Sequence, residues 1–458
     1  MPPYKMWDII ERAYTGPFCE DDDFLYKIFI PKMKEVVRKY EIKFDPNSLV
    51  PDDDLADRVW QAAVEFFLEV GVLNADTHRR ILIEEAELKE ALYNAPGRYL
   101  VGAGKDAFWW EHRLVEDRRP PFSIFSPEIT CDEDLFLPMS IAYIQEPLAN
   151  GMIAPILEET MGIKVKSGTP SEISGVVQHA MSLRQAARMA GRPDMFVLAV
   201  GTAQSDSGQI AVSNPDWGVR PSDGRLIGLL TEMKVDNELL NKVAHCMQFG
   251  CFIGCLSGAI FGGYAGRAEG TAVLQTAYQL VGLTIYQANF HYNFPFHIHY
   301  TSNTSRELLW VMSVTHQAVS RNSRLLAIAN GFLNAGPGTE MVLYEAATYG
   351  LVSTVSGSGL GGPAAARNKY RNYATPIESR LATEVGHAVA RQGMTRAQAN
   401  EIALQLLAKY EEHIADAPLG KPFQECYDAH TAQPMPWYVD LYKQIKDELA
   451  GMGILFPY

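Results

Sequence analysis

The chain has 458 residues, of which 47% are hydrophobic, 21% charged and 10% aromatic. That composition excludes a disordered, collagen-like or fibrous protein and supplies ample material for a large core. Lys+Arg 40 against Asp+Glu 54 leaves a formal charge of −14, which argues against a phosphate-backbone binder and mildly favours a cationic small substrate. The 6 cysteines are too few for a disulfide scaffold of this size. The N-terminal stretch is polar and acidic where a signal peptide carries its apolar run, so a cytoplasmic protein with no membrane or nucleic-acid partner is expected.

Residues 5–115 read mainly as helices, the clearest being DDDLADRVWQAAVEFFLEVGVL, which starts acidic and carries apolar residues at helical spacing. From about Phe122 short apolar runs alternate with amphipathic helices. Thr169-Pro170-Ser171-Glu172 reads as a capping box opening a helix over 170–190, which stops at Gly191 and Pro193 before the apolar run Met195–Val200. Further strand-like runs fall near 251–260, 294–300, 329–335 and 351–356, with helices near 236–249, 268–288, 304–327 and 339–349 between them. Two more helices follow 376, the second opened by Thr395-Arg396-Ala397-Gln398, another capping box. The alternation implies a parallel sheet with right-handed crossovers. The expected fold is therefore α/β: a (β/α)8 barrel (residues 116–458, with C-terminal helices) carrying a helical N-terminal extension (residues 1–115), with active-site groups at the C-terminal strand ends.

Several motifs have competing readings. The uncharged segment Cys246–Gly266 repeats glycine every fourth residue, as a membrane packing face does, but reads better as a buried strand followed by a glycine loop. Gly357-Ser358-Gly359-Leu360-Gly361-Gly362 matches a dinucleotide fingerprint, with Glu378 near the offset of a ribose contact, yet lies too late in the chain and reads as a barrel-mouth loop. His297 and His299 share one face of a strand-like run, a spacing that suits a metal pair in a barrel hydrolase with His245, His316 or Asp223, although no motif surrounds those residues. Cys246, Cys251 and Cys255 fit no standard metal spacing. No metal is expected. The segment Asn289–Phe296, with Tyr300 and Trp310, is dense enough in aromatics to pack a barrel or to cage a quaternary ammonium.

Asp76-Thr77-His78-Arg79, Ala190-Gly191-Arg192-Pro193, Phe261-Gly262-Gly263-Tyr264-Ala265-Gly266, Ala335-Gly336-Pro337, Thr339-Glu340-Met341 and Phe423-Gln424-Glu425-Cys426-Tyr427-Asp428 keep the order found in the monomethylamine:corrinoid methyltransferase family, which the chain resembles from about residue 50 onward. The resemblance implies a (β/α)8 barrel in a homo-oligomer (a hexamer) that binds no cofactor tightly and works with a cognate corrinoid protein carrying cobalamin. It also implies a pyrrolysine whose imine forms an adduct with methylamine. Aligning the shared blocks puts Leu198 at the pyrrolysine position, Leu226 and Leu256 at two pocket glutamates, and Asn330 at a pocket glutamine.

An imine electrophile and its carboxylates read as lost together, since a carboxylate left in an apolar cavity is costly. A quaternary ammonium carries its charge permanently, leaves as a neutral amine and needs only binding and alignment. The expected activity is thus methyl transfer from a small methylated compound, foremost a quaternary amine, to cob(I)alamin on the partner, without pyrrolysine. His297 and Glu340 are the candidate catalytic acids, and Leu198, Leu226, Leu256, Asn330, His299 and Tyr300 the candidate pocket. A non-catalytic methylated-amine binder, methylamine chemistry by another route and a metal-dependent hydrolase are the alternatives.

Overall fold

A computed structural model of the chain describes residues 4–198 and 201–457. The strands that matter for function are β1 (Ser123–Phe125), β2 (Gly151–Met152), β3 (Phe196–Val197), β4 (Gly224–Gly228), β5 (Phe252–Ser257), β6 (Phe290–Asn293), β7 (Leu326–Phe332) and β8 (Gly359–Ala364). They form one 8-stranded sheet in the order β3-β2-β1-β8-β7-β6-β5-β4, with every pairing parallel. A parallel bridge from Leu198 to Gly224 joins the two ends and closes the barrel. Helices α1 (Glu133–Ile144), α2 (Pro170–Met189), α3 (Asp206–Ala211), α4 (Asn237–Phe249), α5 (Ala268–Thr284), α6 (Arg306–Asn322), α7 (Glu340–Val355) and α8 (Pro376–Gln392) follow the strands in turn. This is a (β/α)8 barrel.

Local chemistry explains most boundaries. Asp236, Ser305 and Thr339 cap α4, α6 and α7, their side chains accepting from Leu239 N, Leu308 N and Val342 N. Thr375 and Glu378 form a reciprocal capping box on α8, as do Thr395 and Gln398 on helix Arg396–Leu407. The capping box expected at Thr169 does not form. Glu172 instead reaches forward, accepting from Gly168 N at 2.6 Å, Gln204 N at 2.7 Å, Ser205 N at 2.8 Å and Ser205 Oγ at 2.6 Å. Its carboxylate ties the loop after β3 to α2, a demand from tertiary structure that local sequence does not announce.

The barrel strand expected near 294–300 runs over Phe290–Asn293 instead, and the glycine run is a further departure. Of residues 351–356, expected as a strand, 351–355 complete α7 and Ser356 is its C-cap, and the strand is Gly359–Ala364, which overlaps the 357–362 glycine run expected as a mouth loop. A Cβ on Gly361 would sit 2.4 Å from Tyr292 Oη, and one on Gly359 2.9 Å from the Phe122 carbonyl oxygen. Glycine therefore makes room for a large ring across the lumen rather than for a phosphate.

The helix Asp53–Val70, capped by Asp52 accepting from Leu55 N at 3.1 Å, packs on α5 and α6. Val72–Asn74 pairs in parallel with Lys234–Val235, stitching the N-terminal region to the loop between β4 and α4. Helices Arg396–Leu407 and Pro436–Gly451 pack on α7. The uncharged 246–266 segment divides into the end of α4, β5 and a glycine turn, and no helix among the described residues is long and apolar enough to cross a membrane.

Candidate functional site

The C-terminal strand ends surround a cavity of about 340 Å³. Each strand or the loop after it contributes: Glu128 after β1, Ile153 and Ile156 after β2, Gly201 and Ala203 after β3, Leu226 on β4, Leu256 on β5, Tyr292 and Phe294 at β6, Asn330 and Phe332 on β7, and Asn368 after β8. Period-2 alternation places them, since residues two apart on a strand share the lumen face. The walls are chiefly aliphatic and aromatic, with Phe294 and Phe332 meeting at 5.4 Å between ring centres.

One carboxylate enters this apolar space. Glu128 follows Pro127 with φ of 51°, in the left-handed region, which turns the chain out of β1 and over the cavity. Its Oε2 accepts from Asn330 Nδ2 at 2.8 Å and its Oε1 from the Tyr292 hydroxyl at 3.0 Å. Burial pushes the Glu128 carboxyl up to about 7, while the hydrogen bonds from Asn330 and Tyr292 oppose it by favouring the charged form. Burial also raises the Tyr292 phenol well above its ordinary value, so it remains a donor. Asn330 Oδ1, pointing away from Glu128, has no hydrogen-bond partner among the described residues. The result is a near-neutral-titrating acid in a largely apolar chamber that also holds two unpartnered amide oxygens, Asn330 Oδ1 and Gln209 Oε1.

The loop after β3 is held from behind. Thr202 Oγ1 accepts from Leu157 N at 2.9 Å and shares a hydrogen bond of 2.6 Å with His179 Nδ1. Burial drives His179 down to about 3, so the ring is neutral. Below that loop Asp223, paired with buried Arg184, accepts from Val197 N at 3.2 Å and Arg220 N at 2.8 Å, fixing the start of β4 against β3.

The candidate residues from the sequence occupy three places. Leu226, Leu256 and Asn330 line the cavity. Leu198 is wholly buried in the apolar cluster of Phe196, Leu226, Phe290 and Tyr292, with Leu256 packed against it, and is not among the lining residues. Its backbone N–H donates to Met152 O at 3.0 Å and its side chain fills the space a Cβ on Gly224 would need.

His297, His299 and Tyr300 form a separate cluster on the loop after β6, outside the cavity lining. His297 accepts at Nδ1 from His299 N at 3.1 Å, its ring lies 4.5 Å from that of Tyr300, and Arg367 sits 5.0 Å from the Tyr300 ring. Burial lowers the His297 pKa. Glu340 is exposed in the first turn of α7, whose cap is Thr339.

The metal-pair reading finds no further ligands. His245 bonds Ser213 Oγ at 2.7 Å, His316 donates to Met312 O at 2.7 Å, Asp223 is engaged by Arg184, and no group of three potential ligands occurs among the described residues. Of the aromatic segment, Tyr292 and Phe294 reach the cavity, Phe290 packs on Trp110 at 5.0 Å, and Trp310 is buried against Phe44 at 5.5 Å. Glu128 escaped the sequence reading. A single glutamate in a short loop has no motif, and only its place just after a first barrel strand would have drawn attention to it.

Comparison with known proteins bears on the whole chain. Residues 4–454 match the family model described as Monomethylamine methyltransferase MtmB. Monomethylamine methyltransferase MtmB2 of Methanosarcina acetivorans is 30% identical over 455 residues, covering 99% of each chain. Monomethylamine methyltransferase MtmB of Methanosarcina mazei is likewise 30% identical, again over 99% of each. The crystal structure of the Methanosarcina barkeri monomethylamine methyltransferase superposes with a TM-score of 0.94 at 30% identity over 98% of both chains, and a hydroxylamine complex of MtmB superposes equally well.

Proposed function

The chain belongs to the monomethylamine methyltransferase family, and on that premise we propose that it moves a methyl group from a small quaternary amine to cob(I)alamin carried by a partner corrinoid protein, without using pyrrolysine. The observation that carries this reading is the cavity itself: apolar and aromatic walls around a single carboxylate, Glu128, with leucine at 226 and 256.

A permanent cation fits such a space for two reasons. Its methyl groups lose little on leaving water for Leu226, Leu256, Phe294 and Phe332, and ring faces attract a quaternary ammonium. Its charge meets ionised Glu128, whose burial penalty is relieved once a counter-ion arrives. Monomethylammonium also carries a charge, and its N–H donors would meet Glu128 and the unpartnered Asn330 Oδ1 and Gln209 Oε1, so the preference for a quaternary amine rests on the apolar and aromatic walls.

The group that accepts the methyl belongs to the partner. A cob(I)alamin held by the partner would supply the nucleophile for the methyl group, and the amine would keep the C–N electron pair. The cavity suits that division of labour, since it lies at the loop face of the barrel. Met161, Tyr264 and Ile298 are exposed on loops of that face and would seat the partner. Glu128 orients the donor by its charge, Tyr292 and Asn330 hold Glu128, and the leucines and phenylalanines exclude water. Leu198, in this account, is apolar filler where the family carries its electrophile.

The test is absorbance of added cob(I)alamin during incubation with a panel of methylated amines, thioethers and ethers. Quaternary ammonium compounds should methylate it, and Glu128→Gln should lose most of that rate. Turnover of methylamine alone would overturn the donor assignment. Failure across the panel with the cognate corrinoid protein present would favour a binder.

A further inference from the structure

A second cavity, of about 480 Å³, opens on the opposite side of the barrel wall between α4, the start of β5 and the first helix of the chain, with Met6, Trp7, Cys246, Met247 and Cys251 among its lining residues. Cys246 is in the last turn of α4. Gly250 ends that helix with φ of 85°, reversing the chain so that Cys251 returns against the same turn. Both cysteines line the cavity, and the Cys251 thiol donates to the Cys246 carbonyl oxygen at 4.0 Å.

Beside them lies Arg225, fully buried on the outward face of β4. Its Nη2 donates to Ser213 Oγ at 2.8 Å, while Nε and Nη1 find no oxygen or nitrogen partner among the described residues. A buried guanidinium is costly unless an anion compensates it; Asp223, near enough to act on Arg225, is already paired with Arg184, and the other ionisable groups acting on Arg225 are the Cys251 and Cys246 thiols. The neighbouring Cys246 thiol, and then the charge of Arg225, hold the Cys251 thiol below its ordinary value, whereas burial pushes Cys131 and Cys255 up.

We propose that Cys251 and Cys246 form a peroxide-sensitive dithiol, with Cys251 the attacking thiolate and Cys246 the resolving thiol. The Cys251 sulfur attacks one oxygen of hydrogen peroxide. The O–O bond breaks, and the departing hydroxide takes a proton to become water, leaving a sulfenic acid. Cys246 sulfur then displaces the sulfenic oxygen, forming the S–S bond while its proton leaves with that oxygen as a second water. Two thiols lose two electrons and one peroxide becomes two waters. Arg225 is the positioning residue: it stabilises the thiolate without touching the oxidant.

The experiment treats the full-length protein with dilute hydrogen peroxide and maps peptides by mass. A bond joining Cys246 to Cys251, seen as the loss of two hydrogens and reversed by dithiothreitol, is expected before any other cysteine reacts. Cys246→Ser should accumulate a sulfenic acid at Cys251 that a dimedone probe captures, whereas Cys251→Ser should yield no adduct at Cys246. Arg225→Met should slow alkylation of Cys251 by iodoacetamide at pH 7 by roughly tenfold. If that variant does not fold, Arg225→Lys reads the same rate and should slow it less. Oxidation appearing first at Met247, Cys131 or Cys426, or alkylation of Cys251 no faster than that of Cys255, would overturn the proposal.

Discussion

Binding of a permanent cation to the barrel cavity should follow the ionisation of Glu128. Burial holds this carboxyl at about 7, so in the empty protein about one-tenth of the molecules carry the charge at pH 6 and about nine-tenths at pH 8. If the cation binds the ionised form, affinity for tetramethylammonium rises about tenfold across that interval, some 1.4 kcal/mol. A cation about 4 Å from the carboxylate gains up to about 4 kcal/mol at an effective dielectric of 20. Glu128→Gln should therefore weaken binding at pH 8 by about a hundredfold or more and flatten the pH profile. The variant should keep its fold, because Asn330 has a free Oδ1 that a turned amide can offer to the new side-chain amide. Isothermal titration calorimetry between pH 6 and 8 reads both effects. In buffers of different ionisation enthalpy it should also show release of about half a proton at pH 7. A wild-type affinity that does not change with pH, or a Glu128→Gln variant that binds as tightly at pH 8, would refute the pairing of this carboxylate with a cation.

Tyr292→Phe removes a hydrogen bond that favours the charged form of Glu128, so the midpoint of the same binding profile should move to higher pH. Because Glu128 has a raised pKa in the folded state, its effect on folding runs in the corresponding direction. Relative to the unfolded chain it costs stability progressively as pH climbs from the ordinary glutamate range through about 7. Glu128→Gln should thus gain on wild type in melting temperature from pH 5 to pH 8, and a gap that shrinks instead would contradict the shift. Gly361→Ala sets a Cβ 2.4 Å from Tyr292 Oη, and should cost about 1–3 kcal/mol in denaturant unfolding while impairing cation binding through the displaced ring. Arg184→Ala leaves Asp223 buried without its cation, and a loss of about 3–5 kcal/mol in the same unfolding measurement is expected.

The sequence carried the barrel because the signals for it are local and repeated. Apolar runs recur between capped amphipathic helices, and α4 matches the expected 236–249 to within one residue, while α6 starts two residues inside the expected 304–327 and stops at Asn322. Where local rules compete with packing, tertiary structure decided. Gly359–Ala364 has loop chemistry but strand geometry, because Tyr292 and Phe122 leave space for nothing larger than hydrogen. Glu172 stands at the N3 position of a capping motif but serves the loop after β3, where backbone N–H groups from a distant segment converge on it.

The site divides along the same line. Leu226, Leu256 and Asn330 were legible through the family resemblance, which aligns them with its pocket positions, and alternation along their strands turns them into the lumen. That His297 and His299 fall outside the cavity while Glu128 enters it was not, since both outcomes depend on loops whose paths no periodicity constrains. The chain's own order of residues thus determined a closed parallel barrel and the apolar face of its lumen. Only folding brought a lone glutamate against a tyrosine and an asparagine from two other strands, because desolvation acts on what surrounds a group in space and not on what precedes it in the chain.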